Sequence, residues 1–251
     1  MQAIEHIDEI INVSDGIMVA RGDLGVELPL EKVPLIQKSI VKKCIEVSKP
    51  VIIATQMMEN MINEQFPTRA EVNDVANAVL DGADAVMLSA ETSVGKDPVN
   101  VIKTMWRIVH TVQQSDMNRW NEKMPDKKST TFVSDSVLYN ACMMAKQCKA
   151  KAIVTMTYSG YSALKISSMR PGADVIVFTV NKVLLTKLSL VWGVRTFYYD
   201  RYHDTDSNIS DVKEILKSDK TITKGDLVVH TYSTPLHERG TANTIKLNVI
   251  D

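Results

Sequence analysis

Apolar positions along the chain form short uninterrupted runs that alternate with stripes at helical spacing. The runs GIMVA (16–20), PVIIAT (50–55) and DAVMLS (84–89) are each followed by a segment of three- and four-residue periodicity, over 31–48, 69–82 and about 97–117. Runs this continuous do not suit a sheet with one wet face, so they predict βα units whose parallel strands are covered on both sides. A doubly wound sheet or a β/α barrel meets that requirement, and three strands cannot close a barrel of eight. Residues 2–13 place Ile4, Ile7, Ile10 and Ile11 on one helical face, so the chain opens on an amphipathic helix that needs a partner. A freestanding barrel usually opens on a strand, and the expectation is a partial barrel whose front end is missing.

The periodicity breaks at residues 119–130, RWNEKMPDKKST, where charge, Pro125 and small polar residues predict a linker. Residues 1–118 are then one domain and 131–251 another. The second reads as a helix (131–149), then strands at 151–157, 174–180 and 194–199 separated by helices at 161–169 and 181–191. A further helix (208–218) precedes strands at 225–233 and 244–250. This predicts a three-layer α/β domain with a mostly parallel sheet. Its last two strands have no helix between them and should pair antiparallel at the edge.

The 251 residues are 45% hydrophobic, enough for a sizeable core, and 29 basic against 30 acidic side chains leave no basic stripe for nucleic acid. Cys44, Cys142 and Cys148 lie in apolar helical patterns without a CxxC pair or zinc spacing, as expected of reduced core thiols in a cytoplasmic protein. No run of about 18 apolar residues suggests a membrane span. The five histidines show no metal spacing.

Polar residues crowd the carboxyl ends of the first three strands, the edge that carries chemistry in both architectures. Arg21-Gly22-Asp23, followed by Leu24-Gly25 and a proline-bounded turn, sets backbone amides beside a cation and a carboxylate. Asp23 can give one hard oxygen to Mg²⁺, and Gly22 lets a ligand approach the main chain; an Arg–Asp pair tidying a strand end is the alternative. Thr55 should point its hydroxyl towards the same mouth, although a β-branched residue also simply suits a strand. Thr68 and Glu71 have the spacing of a capping box. In the second domain, Thr157-Tyr158-Ser159-Gly160-Tyr161-Ser162 offers hydroxyls and amides at a helix N-terminus, either as an anion site or as an ordinary cap. Arg239-Gly240-Thr241-Ala242-Asn243 joins the last two strands, as a closing loop or a hairpin turn.

Together, DGIMVARGDLGVELP (15–29), KPVIIATQMMENMI (49–62), PTRAEVNDVANAVLDGADAVMLSAET (67–92) and the domain after residue 128 closely resemble pyruvate kinase. The resemblance spans nearly the whole chain. It implies the last three βα units of that family's TIM barrel followed by its C-terminal α/β domain. The implied reaction passes a phosphoryl group from phosphoenolpyruvate to ADP, giving pyruvate and ATP, with Mg²⁺ and, in the full-length enzyme, K⁺. By the same resemblance Asp23 is the metal ligand, the amides of Gly22 and Asp23 meet the substrate carboxylate, and Thr55 contacts substrate. Arg21 buttresses the loop, while Ser89 and Glu91 match a motif near the proton-delivery face. The family's Lys-Ile-Glu segment, upstream of the position matched by Gln2, is not in this sequence, so the chain alone is expected to be inactive. Thr157, Ser159, Gly160 and Ser162 match an effector loop, joined by Gly240 and Thr241; Tyr158 and Tyr161 stand where sugar-bisphosphate-responsive members often carry a base. A homo-oligomer, a tetramer in the family, is expected. The catalytic reading rests on Asp23 facing a cleft beside the Thr55 hydroxyl.

Overall fold

The computed structural model describes residues 2–115, 124–201, 205–234 and 242–251. Two compact units divide the chain, residues 1–119 and 120–251. In the first, the opening amphipathic segment forms α1 (Gln2–Glu5) and α2 (Ile7–Val13), interrupted at His6 rather than continuous. Then come β1 (Ile17–Ala20), α3 (Arg21–Glu27), α4 (Val33–Glu46), β2 (Val51–Ala54), α5 (Arg69–Leu80), β3 (Ala85–Val86), α6 (Ala90–Ser93) and α7 (Pro98–Gln113). The three strands are parallel in the order β1-β2-β3, with Ile17 opposite Val51 and Ile53 opposite Val86. Val51 and Ile53 are fully buried and pack with Val41 and Cys44 of α4, Val75 and Ala78 of α5, and Val101 of α7. The helices thus cover the Val51 and Ile53 face of β2, whereas Ile52 on the other face is only half-buried.

Local signals start and stop these helices. Thr68 Oγ1 accepts from the Glu71 amide at 3.2 Å while Glu71 Oε2 accepts from the Thr68 amide at 2.7 Å, the reciprocal pair that satisfies two orphan donors of α5. Asp97 Oδ1 caps α7 by accepting from the Asn100 amide at 3.0 Å, with Pro98 supplying a helical φ at the first turn.

The second unit contains α8 (Phe132–Cys148), β4 (Ala152–Met156), α9 (Tyr161–Ser168), β5 (Asp174–Thr179), α10 (Lys182–Lys187), β6 (Val194–Tyr198), α11 (Thr205–Ser218), β7 (Leu227–Tyr232) and β8 (Thr244–Val249). The sheet runs β6-β5-β4-β7-β8, parallel except for the antiparallel β7–β8 pair. Alternate residues feed two cores. Ile153, Val175, Val177 and Val229 pack against α8, α9 and α10, whereas Ala152, Val154, Ile176, Phe178 and Val228 pack against Val212 and Leu216 of α11. Period-two alternation with both faces buried makes three layers. Among the described residues no helix is long and apolar enough to cross a membrane.

Candidate active site

β1 runs without a break into α3, so Arg21, Gly22 and Asp23 form the first turn of a helix. The sequence had pointed to a strand end followed by a proline-bounded turn, although two glycines in seven residues do not exclude a helix and only weaken it. The Arg21 guanidinium folds back beneath the strand ends. Its Nη1 donates to both carboxylate oxygens of Asp74 on α5, at 2.7 and 2.6 Å, while Nη2 and Nε donate to the Thr55 carbonyl at 2.5 and 3.2 Å. Only 10% of the Arg21 side chain is exposed. Asp74 was not singled out from sequence. The available signal was a cation at a strand end that needs a counterion when buried.

Thr55 ends β2 in an unusual backbone state. Thr55 has φ +68° and Gln56 φ +54°, two consecutive non-glycine residues in the left-handed region, which is rare for a β-branched side chain. The turn brings Thr55 Oγ1 to 2.9 Å from the Gly22 amide, which donates to it, and the hydroxyl donates in turn to the Ala54 carbonyl at 2.7 Å. Gly22 and Thr55, 33 residues apart, therefore meet as expected.

Asp23 is placed differently. Its residue is exposed and is not among those lining the nearby groove of about 660 Å³, whose walls include Arg21, Gly22, Gln56 and Asp74. Asp23 sits in the first turn of α3. Its carboxylate has no hydrogen-bond or ion-pair partner among the described residues, which leaves its lone pairs available. A hard cation such as Mg²⁺ takes oxygen donors and commonly only one or two protein carboxylates, and a free exposed carboxylate fits one such ligand. Among the described residues no three His, Cys, Asp or Glu side chains gather for a metal.

Ser89, after β3, is exposed, and its side chain makes no cap bond. Glu91, by contrast, is buried, accepting from the Met58 amide at 3.2 Å and the Ser89 amide at 2.7 Å. It ties the β2 and β3 loops together and does not open towards a reacting atom. Met57, Met58 and Met61 are core residues.

The chain has known relatives. Residues 1–102 match the family described as pyruvate kinase, barrel domain, and residues 135–248 the one described as pyruvate kinase, alpha/beta domain. The chain belongs to the pyruvate kinase family. It is 42% identical to a pyruvate kinase of Clostridium acetobutylicum, over 100% of this chain and 53% of that protein, and 42% identical to one of Geobacillus stearothermophilus, over 99% and 42%. A crystal structure of a pyruvate kinase from Cryptosporidium parvum superimposes with a TM-score of 0.89 at 34% identity, covering 100% of this chain and 50% of that one. The chain thus spans about half the length of the pyruvate kinases it matches.

In the pyruvate kinase alpha/beta unit, the turn expected to take an anion is closed on itself. Thr157 Oγ1 accepts from the Gly160 amide at 3.0 Å and Ser159 Oγ from the Tyr161 amide at 3.3 Å. The hydroxyls thus tie up the amides just before and at the start of α9, with Gly160 at φ +87° as its N-cap and Ser162 buried. Tyr161 donates its hydroxyl to the buried Asp135, and that bond together with desolvation pushes its pKa up to about 12. Gly240 and Thr241 lie outside the described residues. The three cysteines are free, and burial raises Cys44 to about 11 and Cys142 to about 12, as for inert core thiols.

Proposed function

We propose that residues 1–118 contribute part of the site at which the phosphoryl group of phosphoenolpyruvate passes to ADP, and that 131–251 form the accompanying α/β domain, after a linker at 119–130. The observation that carries this is the Gly22 amide held at 2.9 Å from the Thr55 hydroxyl, next to the unpaired carboxylate of Asp23. Phosphoryl transfer depends on positioning and charge stabilisation more than on covalent protein chemistry. An amide and a carboxylate in the first turn of α3, with a hydroxyl just after β2, suit that need.

In the substrate-free arrangement Thr55 Oγ1 fills the acceptor position of the Gly22 amide. A substrate carboxylate arriving there would accept from the amide and, once the hydroxyl turns away from the Ala54 carbonyl, from Thr55 as well. The neighbouring Asp23 carboxylate would hold Mg²⁺, which supplies positive charge to the substrate oxygens. Loss of the phosphoryl group leaves an enolate whose protonation at carbon gives pyruvate, and Thr55 lies beside that carbon in this reading. Arg21, whose donors are spent on Asp74 and the Thr55 carbonyl, supports the loop and does not touch substrate. K⁺ is expected in the complete enzyme, and no residue here is assigned to it. The role is glycolytic and the setting cytoplasmic in this proposal.

The test is calorimetric titration of the chain with phosphoenolpyruvate and Mg²⁺. Binding should be measurable, should weaken at least tenfold in Asp23→Asn, and should occur without turnover in a lactate dehydrogenase-coupled assay, since no lysine here matches the family's phosphoryl-neutralising position. Binding confined to sugar phosphates would favour a non-catalytic ligand-binding module instead, a reading weakened by the self-capped Thr157–Ser162 turn.

A further inference from the structure

We infer that Asp74 is a positioning residue that acts through Arg21 to hold Thr55 and Gln56 in their left-handed turn, and thereby keeps the Thr55 hydroxyl over the Gly22 amide. Two adjacent non-glycine residues at φ +68° and +54° are intrinsically disfavoured and persist only when their surroundings over-determine them. What over-determines them is visible. The Thr55 carbonyl accepts from two nitrogens of one guanidinium, a third nitrogen of which is fixed by both oxygens of Asp74, and Nη2 also contacts Met57 Sδ at 2.9 Å.

The chain of consequence runs outward from Asp74. Without its charge, Arg21 is a mostly buried cation with no counterion, a costly state that is relieved by moving the guanidinium towards solvent. The groove of about 660 Å³ bordered by Arg21, Gly22, Gln56 and Asp74 gives it room. Once the clamp on the carbonyl is lost, the turn relaxes towards ordinary φ values, the hydroxyl leaves, and the Gly22 amide is exposed to water.

Amide hydrogen exchange on the 251-residue chain reads this directly, with no ligand present. In Asp74→Asn the Gly22 amide should exchange at least tenfold faster, while the Met87 amide, bonded to the Ile53 carbonyl in the sheet, keeps its rate. Adding Gln56→Gly, which makes positive φ inexpensive, should recover about fivefold of the loss at Gly22, yet change little when Asp74 is intact. A plain structural ion pair would not be rescued by a glycine at position 56. If Asp74→Asn loosens every amide, Arg21→Lys serves, because it keeps a cation for Asp74 but loses the fork that clamps the Thr55 carbonyl, so Gly22 alone should exchange faster. Unchanged Gly22 exchange in either variant, or failure of the glycine rescue, would overturn the inference. Its importance for catalysis rests on the proposed function, but the two fail separately: normal brace behaviour with no phosphoenolpyruvate binding would sink the functional reading alone.

Discussion

At the scale of single residues, the chain shows how a buried polar group is tolerated or made useful. His230 on β7 is 3% exposed, and its Nε2 has no partner among the described residues. It lies on the α11 side of the sheet with Val228, opposite Lys246 of β8. Desolvation, then the charges of Lys213 on α11 and Lys246, lower its pKa to about 4. The folded state therefore refuses a proton that the unfolded chain accepts near the ordinary histidine value of 6.5. Stability from this group is complete above that value and is lost as pH falls towards 4, by about 2 kcal/mol between pH 7 and 5. Urea unfolding at several pH values should show that slope in the second unit, and His230→Leu should flatten it. An equal slope in the variant would assign the effect elsewhere. The buried Arg21 follows the opposite logic, since its charge is kept and paired with Asp74.

At the scale of elements, the long periodic segments were legible and the site's backbone was not. α4, α5 and α8 begin and end within about three residues of expectation, α5 with its capping box and all three on their apolar stripes. DAVMLS promised a full strand and yields two paired residues, Ala85–Val86, although the Met87 amide still bonds the Ile53 carbonyl. Arg21-Gly22-Asp23 was read as a strand end before a proline-bounded turn, whereas the structure starts a helix there, with Leu24 packed onto the core. The left-handed pair at Thr55 and Gln56 leaves no trace in sequence, as it is braced by Arg21, 34 residues from Thr55, which is itself held by Asp74, 53 residues from Arg21 along the chain. β1 and β3 each pair only with β2 among the described residues, and Met18 on β1 is 54% exposed. Open strand edges of this kind recruit other chains. We propose that the chain self-associates through them. Light scattering should give a mass above 28.0 kDa that falls in Met18→Lys, while a monomer at every concentration would exclude it.

At the scale of the whole molecule, family membership rests on agreement along the entire chain and does not depend on the orientation of any one side chain. That distinction matters for Asp23, which is exposed where a cleft-facing carboxylate was expected. Membership tells which reaction to look for, and only the local chemistry can tell whether these residues serve it. The local chemistry here is a carboxylate with no partner among the described residues, an amide that donates to a hydroxyl, and a turn with two residues at positive φ.

The central claim is that Asp23, Gly22 and Thr55 act as one site, and paramagnetic relaxation tests it most directly. Mn²⁺ added with oxalate, an analogue of the enolate, should broaden the amides of Gly22, Asp23 and Thr55 first, leave those of Thr157–Ser162 sharp, and lose this effect in Asp23→Asn. Broadening that begins elsewhere, or that persists undiminished in Asp23→Asn, would contradict the account.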